Sequence, residues 1–513
     1  MNIKSLFVCL LFALPVACST AISDSAEEET GGETTPDKPI VLTSDVTTYV
    51  TTADGSQLFK KSTSKFSKAG SMSPNQVKFA EDASAKEVDG FGFAFTTGSC
   101  YNLMKMSQSD RTKFLKEMFS KKEGLGSSLI RVSIGGSDFS LNGPYTWCDT
   151  KGISNFAVPS EDKTYLFPVL KEIYKINPDV KIIAAPWSCP KWMKGGTYYG
   201  YEGDSSLILE VGYDSWTSGR LKPSCYSDYA TYFVKWVQAM RAEGFDIYAI
   251  SMQNEPLNHG NSMSMFMSWK DQRDFLKVLG PAMKNAGLSD VKILLFDHNY
   301  NYDGKDDQRN YPLNIYADSE ASQWAAGSAW HNYSGDVSEL DNIHSAYPDK
   351  DIYFTEASIG SWNYNFSSCL LNDFSSIFLG TLSRGGMGVT LWNVMLDENN
   401  KPYSPNNGSC KTCYGGVTIQ SSDYHTITKN SQWYNVAHAS AVIKPGARKM
   451  TITSYRVPSD MEIQMYKNTD GTIGVIVCNK SSDAQTIVFG AANYTATMKI
   501  PAKCLASSIW TDK

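Results

Sequence analysis

The feature of this sequence that most constrains its fold is a regular alternation of short apolar runs with longer stretches of helical periodicity. Eight runs suited to β-strands occur between residues 86 and 436: VDGFGFAFT, SSLIRVSIG, VKIIAAPWS, IYAISMQNE, VKILLFDHN, AGSAWHNY, DIYFTEASIG and GVTLWNVML. In the stretch between the third and fourth runs, five apolar side chains recur at helical spacing: Tyr229, Phe233, Trp236, Val237 and Met240. Strands that alternate with helices form parallel sheets, so the pattern predicts an α/β fold.

Eight such units in about 350 residues fit a (β/α)8 TIM barrel, and an open, doubly wound sheet is the alternative. An open sheet would be expected to carry a glycine-rich phosphate-binding turn after a strand, and none of the eight runs is followed by one. Several runs end instead in polar and aromatic residues. We therefore predict a TIM barrel over residues 86–436.

The segments that flank the barrel have a different pattern. Residues 41–85 and 437–513 contain short alternating runs, such as KMTITSYRV and TIGVIVCNK, separated by turn-forming residues. This pattern is typical of an antiparallel β-sandwich. We predict that residues 437–513 form a β-sandwich domain appended to the barrel, and that strands within residues 41–85 join it.

The N-terminus, MNIKSLFVCLLFALPVACST, predicts export. One basic residue precedes an apolar stretch at residues 6–14 that is too short to span a bilayer. LPVAC then has the form of a bacterial lipobox, which would make residues 1–18 a lipoprotein signal peptide and Cys18 the lipidated residue; a signal peptide cleaved without lipidation is the alternative. Residues 19–40 are rich in Ser, Thr, Glu and Gly and predict a flexible tether. We expect an outer-membrane or cell-surface lipoprotein, or else a secreted or periplasmic protein.

Composition narrows the range of partners. The net charge is −6 and no long run of Lys or Arg occurs, so we predict no nucleic-acid partner. No later run of 18 apolar residues follows the signal, so membrane contact is expected only through the N-terminal lipid. The chain has 12 Trp and 28 Tyr, whose flat rings suit stacking on sugars.

The cysteines and histidines give no sign of a metal site. The chain has 11 cysteines, and the CxxC pair of Cys410 and Cys413 could be a disulfide, a redox pair or half of a zinc site. Because no second CxxC and no nearby histidine pair occurs, we favour a local disulfide that staples a loop. The six histidines show no metal-ligand spacing. We predict neither a metal ion nor a cofactor.

Two carboxylates end apolar runs and are the candidate catalytic groups. Glu255 ends the fourth run, and Glu356 follows the apolar part of the seventh. In a TIM barrel the chemistry lies at the C-terminal ends of the strands, so both acids are expected to face each other across the mouth. Such a pair suits glycoside hydrolysis, in which one protonated carboxyl donates to the leaving oxygen while the other, ionised, attacks the sugar or activates water.

Seven stretches of the chain resemble glycoside hydrolase family 30, the glucosylceramidase-like enzymes, over essentially all of residues 86–513. They are GFGFAFTTGSCYNL, LIRVSIGGSDFS, APWSCPKWMK, SMQNEP, AWHNY, FTEASIGSW and LWNVMLDENNKP with GSCKTCYGGVTIQ, and they follow the family's order. The resemblance implies a (β/α)8 barrel fused to a β-sandwich and a retaining mechanism. It also implies that Glu255 is the acid/base and Glu356 the nucleophile, a distinction that the residues alone leave open.

The resemblance assigns further roles. Asp138 and Asn254 look like residues that bond sugar hydroxyls, with Asn254 on the 2-hydroxyl. Trp187 and Trp392 look like aromatic walls of the innermost subsite. The remaining assignments are His331 and Tyr333 as partners that orient or polarise the nucleophile, and Arg131 as a cation that holds the carboxylates ionised, for which a structural salt bridge is the alternative.

The branch of the family that the chain resembles narrows the range of expected substrates. The GSCKTCYGGVTIQ loop resembles exported bacterial enzymes that include β-1,6-glucanases, so we predict an endo-β-1,6-glucanase acting on a β-glucan outside the cell. A glucosylceramidase or another β-glucosidase or β-xylosidase is the alternative. A non-catalytic surface glycan-binding lipoprotein would share the signal, the tether and the aromatic residues, but it would not need two opposed carboxylates.

Overall fold

Eight parallel strands close into a barrel in the middle of the chain. The computed structural model describes residues 45–68, 76–196, 210–453, 457–490 and 494–511. The barrel strands are β1 (Gly90–Ala94), β2 (Leu129–Ser133), β3 (Lys181–Ala185), β4 (Ile247–Ser251), β5 (Lys292–Asn299), β6 (Gly327–His331), β7 (Asp351–Glu356) and β8 (Gly386–Asn393). Each pairs with the next, and β8 pairs with β1. The predicted TIM barrel is confirmed, and the open sheet is wrong.

The barrel strands are apolar along their length because both of their faces are covered. One interior layer consists of side chains from seven strands: Leu129, Ile183, Ala249, Leu294, Ala329, Tyr353 and Met387. Gly92 in β1 cannot be larger, because a Cβ there would lie 1.9 Å from the carbonyl oxygen of Leu129.

Helices surround the barrel. The α-helices are Thr97–Lys105, Gln108–Phe119, Phe167–Ile176, Tyr226–Ala242, Trp269–Asn285, Tyr311–Tyr316, Ser319–Ser322, Glu339–Ala346, Phe366–Asp373, Gly380–Ser383 and Ser431–Ser440. Shorter 3-10 segments are Ile153–Asn155, Lys191–Met193, Pro223–Cys225, Tyr302–Gly304 and Asp306–Gln308, and π-helical segments are Asp162–Leu166 and Phe374–Leu379. The five apolar residues that predicted the helix Tyr226–Ala242 are all buried. Among the described helices, none has the length and apolar character needed to cross a bilayer.

Antiparallel strands from both ends of the described chain form two further sheets. One contains Lys60–Lys65, Asp45–Thr52, Cys504–Thr511, Thr472–Asn479, Met461–Lys467, Ala447–Ile452 and Phe79–Glu81 in that order, with Glu87–Val88 beside Ala447–Ile452. The other contains Ser67–Lys68, Tyr494–Ile500, Gln485–Gly490 and Gln76–Val77, the last pairing in parallel. The appended antiparallel sheet domain predicted for the C-terminal region is thus present, and N-terminal strands pair with it. The predicted signal peptide, Cys18 and the whole of the predicted tether lie outside the described residues.

Smaller sheets lie in the loops. Met395–Asp397, Val417–Ile419 and Ile427–Lys429 form one, and Lys194–Gly195 pairs with Arg220–Leu221. The Cys410 and Cys413 sulfurs are bonded, which confirms the predicted local disulfide. The other cysteines of the described residues are unbonded: Cys100, Cys148, Cys189, Cys225, Cys369, Cys478 and Cys504.

Candidate active site

The C-terminal ends of β4 and β7 carry the two predicted catalytic carboxylates into one pocket. Glu356 is the last residue of β7, and Glu255 follows the end of β4. Both residues are only 6 % exposed. Burial raises the pKa of Asp138, and the charges of Glu356 and Glu255 raise it further, because the three acids lie within electrostatic reach of one another.

An unusual backbone conformation turns Glu255 into the pocket. Its φ is +45°, which is uncommon for a residue with a side chain. In a regular strand, neighbouring side chains point to opposite faces, but here two adjacent side chains face the pocket. The Asn254 Oδ1 atom accepts a hydrogen bond of 2.7 Å from Arg131, and the Glu255 Oε1 atom lies 3.1 Å from Nδ1 of His331. The Glu255 N–H donates to the Asp297 carbonyl at 3.0 Å, and this hydrogen bond holds the backbone of Glu255 in place.

Arg131, in the middle of β2, joins the pocket's acids. Its Nη1 donates to Oε2 of Glu356 at 2.5 Å, and its Nη2 donates to Oδ1 of Asn254 at 2.7 Å and to Oδ2 of Asp297 at 2.9 Å. The Arg131 side chain is fully buried. Removing one partner of such a pair would leave an uncompensated buried charge, so the position is strongly constrained.

The end of β5 supplies two residues that sequence reasoning missed. Phe296 and Asp297 both have positive φ, and the pairing register with β6 shifts between Phe296 and His298. This irregularity interrupts the alternation of side chains between the two faces of the strand, so Asp297 and His298 both contact pocket residues. The Asp297 Oδ1 atom accepts a hydrogen bond from Thr355 at 2.6 Å and lies 3.1 Å from Nε2 of His331.

Glu255 lies between two imidazoles. Its Oε1 is 3.1 Å from Nδ1 of His331 and 3.7 Å from Nδ1 of His298, and its Oε2 accepts a 2.8 Å hydrogen bond from Asn258. Burial raises the pKa of Glu255, but the two imidazoles outweigh burial and bring this pKa well below its usual range. Burial lowers the pKa of His298, while its contacts with Asp303 and Glu255 raise it to about 9.

One hydrogen bond joins Glu255 and His331, and a proton can occupy either end of it. His331 also lies 3.1 Å from Asp297 through its Nε2, so both of its ring nitrogens face carboxylates. When both nitrogens are protonated, Glu255 is ionised; when only Nε2 carries a proton, Nδ1 can accept the O–H of protonated Glu255. These two arrangements hold the same number of protons, so a low pKa of Glu255 in the free site leaves a proton directly beside it.

Glu356 has different neighbours. The Tyr333 hydroxyl donates to its Oε1 at 3.0 Å, and Arg131 bonds its Oε2. Burial, together with the charge of Glu255, raises the pKa of Glu356 above its usual value, and the charges of His331 and Arg131 offset only part of that rise. The resemblance pairs both His331 and Tyr333 with this acid. Among their hydrogen bonds in the structure, only that of Tyr333 reaches Glu356, because the ring of His331 lies between Glu255 and Asp297.

The predicted sugar-binding residues lie around the same pocket. Trp187 and Trp392 stack with ring centroids 5.1 Å apart, and the Arg131 guanidinium lies 5.1 Å and 5.7 Å from the two rings. Asp138 is buried, and its Oδ1 has no hydrogen-bond partner among the described residues. Since Arg131 occupies the Asn254 carbonyl oxygen, the Asn254 amide nitrogen is left to donate elsewhere.

The residues that sequence reasoning missed are Asp297, His298, Asp303 and Asn258. A signal for the first two was present, because the fifth apolar run ends in FDHN, just as the fourth ends in QNE. Polar residues at the end of a barrel strand are functional candidates by the same rule that selected the glutamates.

A parallel (β/α)8 barrel with two buried carboxylates at its mouth fits the class of glycoside hydrolases. The model of the glycosyl hydrolase family 30 TIM-barrel domain matches residues 88–443. The chain belongs to this glycosidase family, as the resemblance indicated.

Several known proteins are similar to this chain in sequence or structure. An endo-1,6-beta-D-glucanase of Neurospora crassa is 31 % identical over 408 residues, covering 77 % of this chain and 78 % of that protein. The lysosomal acid glucosylceramidase of Mus musculus is 26 % identical over 425 residues, covering 78 % of this chain and 76 % of that protein. The solved structure of the endo-beta1,6-glucanase BT3312 is 47 % identical and superposes with a TM-score of 0.86, covering 91 % of this chain and 99 % of that one.

Proposed function

We propose that this protein is a retaining endo-β-1,6-glucanase. The observation that carries the proposal is the 47 % identity, over 91 % of the chain, to a solved endo-β-1,6-glucanase. The pocket supports it, because it holds two buried carboxylates, one paired with Arg131 and the other beside His331.

Glu356 suits the nucleophile. Its ion pair with Arg131 and its hydrogen bond from Tyr333 both favour the ionised carboxylate. In the first step, Glu356 attacks the anomeric carbon and the glycosidic oxygen leaves, forming a covalent glycosyl-enzyme.

Glu255 suits the acid/base. The proton that it shares with His331 passes to the departing oxygen in the first step, and Glu255 then accepts a proton from the attacking water in the second. Asp297 holds His331 from its other side, so the imidazole stays aligned with Glu255.

An aromatic platform beside Glu356 favours a long substrate. Tyr333 and Trp362 are 43 % and 54 % exposed, and both line a cavity of about 340 Å³. Trp362 covers Gly360, where a Cβ would lie 1.9 Å from the ring. Gly360 forms an isolated antiparallel β-bridge with Cys413, and the Ser361 N–H donates to the Thr412 carbonyl at 2.9 Å. The disulfide loop therefore supports the platform. Stacking on exposed rings would hold glucose units beyond the cleaved bond.

The test is product analysis on a linear β-1,6-glucan, using the chain from residue 19 with Glu356→Gln as control. Oligosaccharides of mixed length, absent from the control, are expected from an endo-acting enzyme. Early products examined by NMR should carry the β-anomer, as a retaining mechanism requires. Glucose alone would overturn endo action, and hydrolysis of glucosylceramide without glucan cleavage would favour the alternative substrate.

We also propose that Cys18 is lipidated and tethers the enzyme to an outer-membrane or cell-surface position. The support is the LPVAC motif and the polar composition of residues 19–40. In the native bacterium, Cys18→Ala should move the protein from the membrane fraction to the soluble fraction. Unchanged membrane association would contradict lipidation.

A further inference from the structure

We propose that Glu255, His298 and His331 form a binding site for a divalent transition-metal ion of the zinc type, and that an ion bound there inhibits the enzyme. Nothing in the spacing of the six histidines along the sequence indicates this site, because its three ligands come from the ends of three different strands, β4, β5 and β6.

The ligand atoms have suitable separations. One atom from each of the three side chains lies within 4.8 Å of the other two. The Glu255 Oε1 atom is 3.1 Å from Nδ1 of His331 and 3.7 Å from Nδ1 of His298. Zinc binds imidazole nitrogen and carboxylate oxygen at about 2.0–2.2 Å, which places tetrahedral ligands roughly 3.4 Å apart. The two distances from Oε1 of Glu255 bracket this separation.

Both imidazoles have the carboxylate support that is typical of metal-binding histidines. The Nε2 atom of His298 is 2.7 Å from Asp303, and the Nε2 atom of His331 is 3.1 Å from Asp297. A carboxylate on Nε2 fixes the N–H there, so a metal ion that displaces the proton on Nδ1 finds that lone pair directed at it. Both Nδ1 atoms face the same oxygen of Glu255.

His298 supplies the second, independent observation. It is 1 % exposed, and its Nδ1 makes no hydrogen bond of normal length within the described structure. A buried ring nitrogen without a partner is costly, and its neighbour Glu255 lies 3.7 Å away, beyond hydrogen-bond distance. A metal ion between the two would give Nδ1 of His298 a partner.

The ligand set selects the class of ion. Two imidazoles and one carboxylate are the ligands of many zinc sites, whereas Mg²⁺ and Ca²⁺ prefer sets made of oxygen. Zn²⁺, Co²⁺, Ni²⁺ and Cu²⁺ are therefore expected to bind, and Mg²⁺ is not.

Inhibition is expected because the ion would bind the Glu255 oxygen that takes part in proton exchange. A metal ion on Oε1 of Glu255 would occupy the position through which this acid exchanges its proton with His331. This part of the inference rests on the proposed role of Glu255. Metal binding itself does not, so the two can fail separately.

The test measures metal binding directly, by titrating Co²⁺ and Zn²⁺ into the chain from residue 19 and recording visible absorption and calorimetry. One ion per chain with intense Co²⁺ d–d bands is expected, and His298→Gln should weaken binding at least tenfold. The matched control is His425→Gln, since His425 is exposed and pairs with Asp110 at 3.1 Å. If His298→Gln does not fold, Asp303→Asn should weaken binding 10- to 100-fold by removing the support of His298.

Several outcomes would overturn the site: no one-to-one binding, equal affinity in wild type and His298→Gln, or the larger loss in His425→Gln. Activity assays then test the consequence. Zn²⁺ should inhibit glucan cleavage reversibly, with recovery on EDTA, while Mg²⁺ at the same concentration should not. Tight one-to-one binding without inhibition would overturn the inhibitory role and leave the site standing.

Discussion

The two ends of the barrel accommodate buried charge in different ways. At the N-terminal end, a set of residues that we call the base cluster consists of Lys86, Asp89, Lys181, Lys292 and Asp351. Three lysines there serve two aspartates, and the lysine side chains are 19–31 % exposed. The hydroxyls of Tyr248 and Tyr353 also donate to Asp89.

At the mouth, the C-terminal end of the barrel strands, carboxylates outnumber the permanently charged cations. Glu356 and Asp297 share the single guanidinium of Arg131, which is fully buried, and Glu255 relies on two imidazoles. In the base cluster each carboxylate has at least one lysine that pairs with no other member of the cluster, as expected of groups that stabilise a fold. The mouth leaves its carboxylates with shared partners, which costs stability but keeps their protons exchangeable.

Among substitutions at the mouth, Glu356→Gln is expected to have the largest effect on glucan turnover. The amide cannot form the covalent intermediate, so glucan turnover should fall by about 10⁴-fold or more. Binding should persist, because the shape of the pocket and its aromatic walls are unchanged. Reducing-sugar release and oligosaccharide binding by calorimetry check this; retention of even a tenth of the wild-type rate would remove Glu356 from the nucleophile's role.

Glu255→Gln should have the next largest effect, and the effect should depend on the leaving group. Glucan cleavage is expected to drop by about 10²- to 10⁴-fold, since the departing oxygen needs a proton. An aryl β-glucoside with a good leaving group should lose much less in its glycosylation step. Rates measured over a series of aryl glucosides check the prediction, and equal losses across the series would argue against the acid/base role.

The contrast between the two ends also explains what the sequence could predict. The barrel and both glutamates were predictable because each strand is a local apolar run and each glutamate ends one. A general rule about barrels then places these strand ends in one pocket.

Asp297 and His298 were missed although FDHN ends a strand in the same way. Which way their side chains point depends on positive φ at Phe296 and Asp297, and no residue type there, such as glycine, announces that conformation. The cluster of Glu255, His298 and His331 is equally hidden. Its members are distant in the chain and meet only after the barrel closes.

Asp162 sharpens the comparison, because it is a buried carboxyl that forms no ion pair with any described residue. It is 1 % exposed, and neither oxygen has a hydrogen bond of normal length in the described structure. Burial raises its pKa to about 8. Between about pH 4 and 8 the folded state therefore binds more protons than the unfolded state, and this group's contribution makes stability fall as the pH rises.

Asp162→Asn should remove that contribution. The variant and wild type are expected to differ little near pH 4 and by roughly 3 kcal/mol at pH 6, with the variant more stable, since the difference in free energy of unfolding grows by about 1.4 kcal/mol for each pH unit in this range. Urea unfolding at both pH values measures the difference. A gap that does not change with pH would mean that Asp162 is ionised in the folded protein.

The smallest effect is expected at the base cluster, from Asp351→Asn. Asp351 bonds Lys86 at 3.0 Å and Lys292 at 2.7 Å, so the change leaves two lysines without their carboxylate. Both lysines are partly exposed, and water replaces much of what they lose, so the expected cost is about 1 kcal/mol. Turnover should stay at the wild-type level, because the cluster lies at the opposite end of the strands from Glu356.

The matched control is Glu243→Gln, which breaks the pair of Lys171 and Glu243 on the surface, where the side chains are 50 % and 37 % exposed. It should cost less than Asp351→Asn, because its charges are better solvated. Thermal unfolding and glucan turnover measured on both variants separate stability from catalysis. A loss of turnover in Asp351→Asn without a loss of stability would show that the two ends of the barrel are coupled, and the division between a stabilising base and a catalytic mouth would then be wrong.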